Sequence, residues 1–163
     1  MTISVQAQQL NRYALLAFKP YFASLVPPDL AFLHGEYCAE FVGPRWLRRL
    51  ASPALALTGL SGWCGKWFDG LGNARNLVQR QGQTHEVMKM VLAERPSLID
   101  GRPAVTVIYP AGSPFPWPYI VDELRVLDHF TLLGMMIITP PGLRRLPFPF
   151  LLHASRTAVD FGP

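Results

Sequence analysis

Sixteen prolines are spread along this chain of 163 residues, about twice the average share of roughly 5%. Proline has no backbone N–H, so it is excluded from helix interiors and from the central strands of a sheet. The prolines therefore divide the chain into short elements. The longest uncharged stretch, 103–121, approaches membrane-spanning length but contains five prolines, which would break its helical hydrogen bonds repeatedly. A membrane-spanning helix is not expected.

Strand-like segments occupy most of the chain after residue 35. The segment 87–92 alternates two sets of side chains, 104–109 is rich in β-branched residues, and 130–138 is an apolar run interrupted by Gly134. Short strands spaced about 8 to 15 residues apart are typical of a barrel or a sandwich. The sequence therefore predicts a mainly β fold.

A helix is predicted at the N-terminus. Over residues 4–18, apolar side chains such as Leu10 and Tyr13 follow the three-and-four spacing of one helical face. Pro20 should end or kink this helix. A second, short helix is predicted to begin at Pro44, because proline is tolerated in the first turn.

The length suits a single domain, since a chain of this size buries about two thirds of the surface that it exposes when unfolded. It divides into a helical segment (1–30), a β region (35–140) and a proline-rich C-terminal tail (141–163). Half of the residues are hydrophobic and only 16% are charged, against about 25% in ordinary soluble chains. This composition indicates apolar surface beyond that of an ordinary core.

The net charge of +4 does not by itself predict a nucleic-acid partner. Arg45, Arg48 and Arg49 form one basic group and Arg144 with Arg145 another. Neither group shows the aromatic spacing of an RNA-binding motif. Nucleic acid is therefore not an expected partner.

Cysteine and histidine usage indicates no disulfide framework and no metal site. Cys38 and Cys64 are too few for the first, and the four histidines lack the spacing of metal ligands. Phosphate-binding glycine loops are missing, so no cofactor is predicted. The first ten residues do not have the pattern of a signal peptide. A cytoplasmic, reduced protein is the expectation.

Two blocks of sequence carry a resemblance to a known family. The first block is Gly62-Trp63-Cys64-Gly65-Lys66-Trp67-Phe68, and the second consists of Ile108-Tyr109, Pro118-Tyr119-Ile120-Val121-Asp122-Glu123-Leu124-Arg125-Val126-Leu127-Asp128 and Leu133-Gly134-Met135-Met136. Over about residues 35–138 the chain resembles the GXWXG/DUF4334 family. The resemblance implies a single antiparallel β-barrel of lipocalin-like or calycin-like form, here with an N-terminal helix.

The strand that carries Asp122 has charged residues on both faces. Alternation places Asp122 on one face and Glu123 with Arg125 on the other. A carboxyl group that points into a barrel would have a shifted pKa and suit acid–base catalysis. Asp122 or Glu123, paired with Lys66 or Arg125, is therefore the candidate catalytic set. In the alternative, which we favour, Arg125 covers Trp63 or pairs with Glu123 as a structural contact, similar to the Trp and Arg closure of lipocalin-like barrels.

Aromatic and methionine side chains in and near the two blocks are the candidate ligand contacts. Alternation places Trp63 and Trp67 on the same face, and ordinary core filling is the alternative for most of these side chains. The loop 109–118 is stiff, aromatic and poor in charge, which suits a lid over an apolar cavity. The candidate ligand contacts are Trp63, Trp67, Met88, Met90, Tyr109, Trp117, Tyr119 and Met136.

These features predict a barrel that binds a hydrophobic small molecule of lipid, isoprenoid or polyketide type. An enzyme that isomerises or cyclises such a molecule by acid–base catalysis, without metal, is the first alternative. A peripheral membrane or protein-interaction module is the second. It would use either the tail segment 142–152 or the mixed basic and apolar cluster Arg45, Trp46, Leu47, Arg48, Arg49 and Leu50. The oligomeric state is not indicated.

Overall fold

The computed structural model describes residues 4–146 and 148–155. Eight antiparallel strands follow one another around a closed barrel, and the last strand pairs with the first. The predicted mainly β barrel is therefore confirmed. The strands are β1 (His34–Phe41), β2 (Trp63–Asp69), β3 (Asn73–Arg80), β4 (Gln83–Pro96), β5 (Pro103–Ile108), β6 (Ile120–Asp128), β7 (Thr131–Ile138) and β8 (Phe148–Ala154).

The strand β8 lies in the segment that the prolines mark as a tail. It pairs with both β1 and β7, so the barrel extends beyond residue 140. Phe150 and Leu152 join the interior core while Leu151 joins the outer one, which is the alternation of a strand. Pro149 is the second residue of this strand and pairs only with β7, because the pairing with β1 begins at Phe150; a proline is tolerated at such a position. Pro147 and 156–163 lie outside the described residues.

The N-terminal region forms two helices instead of one. Helix α1 (Val5–Leu10) and helix α2 (Phe18–Ser24) are separated by extended residues and a short 3-10 turn. Pro20 is the third residue of α2, where its missing N–H needs no partner because the first turn has none. The helical prediction for 4–18 is thus confirmed only in part, and Pro20 lies in a helix that it was expected to end.

Both N-terminal helices pack on the outside of the barrel. Their buried apolar side chains form a second core with outward-facing residues of β7 and β8. The members of this outer core are Ala7, Leu10, Phe18, Phe22, Val42, Leu133, Met135 and Leu151.

Among the described residues, no helix has both the length and the apolar character needed to cross a membrane.

One end of the barrel is covered by helix α3 (Arg45–Leu57). This helix joins β1 to β2 and begins at Arg45, one residue after the predicted start, with Pro44 as its N-cap; its 13 residues make it longer than the short helix that was predicted. Since neighbouring strands run antiparallel, the β3–β4 turn and the loops 109–119 and 139–146 lie at the same end. We call this end of the barrel the mouth.

An extra residue in β2 changes which side chains face the interior. Trp63 pairs with Val78 and Gly65 with Leu77, so two steps on β2 match one step on β3 and the alternation shifts there. A Cβ atom at Gly65 would lie 2.0 Å from the backbone oxygen of Tyr37. The bulge therefore depends on glycine at this position.

Candidate functional site

A cavity of about 350 Å³ opens between α3 and the strands at the mouth. This volume lies at the lower end of the range of ligand-binding pockets, about 300–1,000 Å³. Side chains of α3, including Leu47, Ala51 and Leu55, form one wall, and Phe148 and Phe150 of β8 contribute to another. The walls are apolar apart from Thr58 and five residues that we call the polar cluster: Trp63, Lys66, Asn76, Tyr109 and Asp122.

The centre of the polar cluster is a buried ion pair. Lys66 Nζ lies 2.8 Å from Asp122 Oδ2, and their side chains are only 1% and 4% exposed. The ammonium also donates to Asn76 Oδ1 at 3.0 Å and to the Tyr109 hydroxyl at 3.3 Å. Three oxygen atoms thus surround a group with three hydrogens. Burial acts to lower the pKa of Lys66, but Asp122 and Tyr109 outweigh it and hold this pKa above its usual value.

Asn76 connects the ion pair to two aromatic residues. Its Oδ1 accepts from Trp63 Nε1 at 3.0 Å as well as from Lys66. Both of these groups are donors only, which fixes the amide orientation. The amide Nδ2 then donates to the Tyr109 hydroxyl at 3.2 Å. Asn76 faces Lys66 across the β2–β3 pair, so adjacent strands hold these groups in place.

The hydroxyl hydrogen of Tyr109 is available to another partner. Its hydroxyl oxygen accepts two hydrogen bonds, from Lys66 and Asn76, and its own hydrogen is not used in either. Burial raises the pKa of Tyr109 to about 12, so the hydroxyl is protonated at neutral pH. Since Tyr109 lines the cavity, it can donate to an oxygen atom of a bound molecule.

Glu123 and Arg125 lie on the outer face of β6, away from the cavity. The carboxylate of Glu123 accepts from Ser97 Oγ at 2.5 Å and from the Leu98 N–H at 2.6 Å. Burial raises its pKa despite these hydrogen bonds. Of the candidate catalytic set, the structure therefore brings only Lys66 and Asp122 into the cavity.

Arg125 attaches helix α2 to the barrel. Its guanidinium donates to the Phe22 carbonyl oxygen at 2.9 Å, lies 2.8 Å from Asp100 Oδ2, and stacks 4.7 Å from the centre of the Phe22 ring. It neither covers Trp63 nor forms an ion pair with Glu123, so the expected contacts are replaced by contacts to α2 and to Asp100.

Four of the candidate ligand contacts line the cavity, namely Trp63, Tyr109, Trp117 and Met136. The Trp117 indole donates to the Thr58 carbonyl oxygen at 2.8 Å, and this bond ties the predicted lid loop to the end of α3. Trp117 also lies against Tyr109, with 4.8 Å between ring centres. The aromatic loop therefore forms part of the cavity wall.

The other four candidate contacts lie elsewhere. Because of the bulge in β2, Trp67 points outward beside Arg75 and does not share the face of Trp63. Tyr119 is 52% exposed and packs on Phe115 outside the cavity.

Met88 occupies a second bulge, with a positive φ of 51°, and is not in the cavity wall. Met90 is buried beneath the polar cluster, with its sulfur 3.6 Å from Lys66 Nζ. Both methionines therefore contribute to packing around the site and not to its lining.

Asn76 and the inner face of α3 were not predicted. The signal for Asn76 was present, because alternation places this polar residue between Ala74 and Val78 on an apolar strand face. The α3 wall had no such signal. Among residues 4–146 and 148–155, no three His, Cys, Asp or Glu side chains form a group that could hold a metal ion.

Comparison with known proteins defines the fold class. Among solved structures, a protein from Thermomonospora curvata, known from its crystal structure, matches with a TM-score of 0.63 over 86% of each chain, at 19% identity. At this identity the similarity shows the fold alone. No protein-family model and no curated protein matches the chain. The class is a closed eight-stranded antiparallel barrel, a fold consistent with ligand binding.

Proposed function

We propose that the protein binds an uncharged, largely apolar small molecule that carries a hydrogen-bond acceptor such as a carbonyl oxygen. The observation that carries this proposal is the apolar cavity of about 350 Å³ with the uncommitted hydroxyl hydrogen of Tyr109 in its wall. The apolar walls favour transfer of the ligand from water, and Tyr109 orients it.

The absence of charge on the ligand is argued from the ion pair. The three hydrogens of Lys66 already face Asp122, Asn76 and Tyr109. A ligand carboxylate would have to displace Asp122, which is itself 3% exposed, and would leave that carboxylate without its partner at a large cost. A neutral ligand avoids this cost.

We expect Tyr109→Phe to weaken binding of a medium-chain methyl ketone about threefold to tenfold, which corresponds to one hydrogen bond. It should leave binding of the alkane of equal length nearly unchanged, because the alkane has no acceptor. Displacement of the fluorophore Nile red from the purified protein measures both affinities.

The matched control is Tyr119→Phe, which removes a hydroxyl outside the cavity and should change neither affinity. Native mass spectrometry with organic extraction then identifies any molecule that co-purifies. Equal ketone and alkane losses in Tyr109→Phe would contradict the role of this hydroxyl, and failure of the wild type to bind either compound would contradict the binding function.

An acid–base enzyme is the second candidate, because Asp122 and Tyr109 both border the cavity. In this function the Asp122 carboxylate accepts a proton from a bound apolar substrate while the Tyr109 hydroxyl donates to its oxygen. We also propose that such an activity is an isomerisation or a cyclisation and that the chain belongs to the GXWXG/DUF4334 family.

If the protein is an enzyme, Asp122→Asn should abolish conversion of the extracted compound while circular dichroism shows a folded barrel. Unchanged conversion in a folded Asp122→Asn variant would exclude Asp122 as the base. A variant that binds the compound as tightly as the wild type, with no conversion by either protein, would favour the carrier function.

A further inference from the structure

The mouth carries an unusual number of exposed apolar side chains. In helix α3, Trp46 and Leu50 are more than half exposed, and Leu57 is 90% exposed. In the neighbouring loop, Phe115 is 82% exposed. Tyr119, Leu143 and Leu146 extend the same apolar surface. A helix surface that faced only water would have polar residues at these positions, so the mouth presents a surface suited to an apolar partner.

Charge distinguishes the mouth from the opposite end of the barrel. The segments that form the mouth, 42–62, 81–82, 109–119 and 139–146, contain no Asp or Glu. Arginines lie within or next to them, and Arg45, Arg49, Arg80 and Arg144 are exposed. The acidic side chains closest along the chain to these segments already have partners: Glu40 lies 3.0 Å from His153, Glu86 lies 3.0 Å from Arg75, and Asp122 lies 2.8 Å from Lys66. The mouth is therefore both apolar and basic.

The opposite end is also partly apolar, but it is acidic. Leu71 is 86% exposed and Phe130 is 55% exposed. Asp29, Asp69, Glu94, Asp100 and Asp128 lie in or beside its connections, where Arg95 and Arg102 add two positive charges. Both ends of the barrel therefore expose apolar residues, and the two ends differ in the sign of the charge around those residues.

We propose that the mouth docks on the surface of an anionic phospholipid bilayer. The arginines match the negative headgroups, and each basic residue near such a surface contributes about 1 kcal/mol, or roughly fivefold in affinity. The exposed leucine and aromatic side chains enter the headgroup boundary, where amphipathic helices and aromatic rings are favoured. This proposal rests on the surface and does not depend on the ligand of the cavity.

The cavity opens at the proposed docking surface. Trp46 and Leu50 are exposed and also line the cavity, so an apolar path connects the surface to the interior. A molecule dissolved in the bilayer reaches the cavity along this path without crossing water. Leu47, by contrast, is only 7% exposed and faces inward, so it belongs to the cavity wall and not to the docking surface.

The test is sedimentation of the full chain with vesicles of phosphatidylcholine alone and of phosphatidylcholine mixed with phosphatidylglycerol. The wild type should bind the anionic vesicles, bind the neutral vesicles weakly, and dissociate at high salt. The double variant Leu57→Glu/Phe115→Glu should bind about tenfold more weakly or worse, because it loses apolar contacts and adds negative charge. Neither residue lines the cavity, so Nile red binding should be retained.

The matched control is Leu71→Glu/Phe130→Glu, which makes the same chemical changes at the acidic end and should bind vesicles like the wild type. Arg45→Gln and Arg49→Gln should each lower anionic binding about fivefold. Equal loss in the control, equal binding to neutral vesicles, or no binding to either vesicle would overturn the proposal. In the last case an acidic protein surface becomes the better candidate for the mouth.

Discussion

Replacing Lys66 with methionine is expected to lower the free energy of unfolding by about 3–5 kcal/mol. Methionine removes the charge but keeps most of the side-chain volume, so the loss reports the electrostatics and not a cavity. The Asp122 carboxylate, with its side chain 4% exposed, would be left buried beside apolar groups. Urea unfolding followed by tryptophan fluorescence measures the effect. Lys89→Met, at an exposed position on β4, is the matched control and should change stability by no more than about 0.5 kcal/mol.

A double-mutant cycle separates the ion pair from the rest of the cluster. Asp122→Leu alone leaves the Lys66 ammonium buried without its carboxylate partner. The double variant Lys66→Met/Asp122→Leu removes both charges and should recover much of the stability lost in either single variant. Additive losses would mean that the two charges are not coupled. Because the pKa of Lys66 is raised, its stabilisation is complete below the unfolded pKa of about 10.4 and is lost only as the pH rises through the raised value. The difference between the wild type and Lys66→Met should therefore be constant across neutral pH.

Arg125→Met is expected to cost about 3–5 kcal/mol as well, whereas Arg75→Met should cost at most about 1 kcal/mol. Both arginines form an ion pair, at 2.8 Å with Asp100 and at 3.0 Å with Glu86, but the Arg125 side chain is fully buried and the Arg75 side chain is 41% exposed. The same substitution at the two sites thus compares buried and exposed ion pairs. Urea unfolding of the two variants measures the loss in the free energy of unfolding at each site. Equal losses would show that burial does not increase the contribution of an ion pair to stability.

Asp100 adds a pH dependence to this comparison. Partial burial acts to raise its pKa, but the hydrogen bond from Arg125, the Arg102 N–H and the charge of Arg125 hold it below the usual range. Its stabilisation is present above the unfolded pKa of about 3.9 and is lost as the pH falls through the lowered value. The stability gap between the wild type and Arg125→Met should therefore shrink in acid. A gap that grew in acid would contradict this assignment.

The position of α2 depends on the same arginine. Arg125 donates to the Phe22 and Leu25 carbonyl oxygens, which lie in and just after this helix. Loss of Arg125 should loosen α2 and expose the outer core, since Arg125 supplies two of the hydrogen bonds that hold the helix end, beside the one from Arg102 to the Ala23 carbonyl oxygen. Hydrogen exchange of amides in 18–24 should therefore accelerate more in Arg125→Met than exchange in the barrel strands. Cavity binding should be less affected, because Arg125 lies on the outer face of β6.

The mainly β architecture and several residues of the site could be predicted from the sequence. Strand periodicity located four of the eight strands, β4 to β7, strand alternation selected Asp122, and the first block of the family resemblance contained Lys66. Which of Asp122 and Glu123 faces the cavity could be learned only from the folded barrel, because a period of two defines two faces of a strand without showing which face is turned inward. The bulge in β2 places Trp63 and Trp67 on opposite faces, and part of the predicted tail, Phe148–Ala154, closes the barrel as β8. Both features depend on pairing with strands that are distant in the sequence, so the periodicity of a single segment does not predict them.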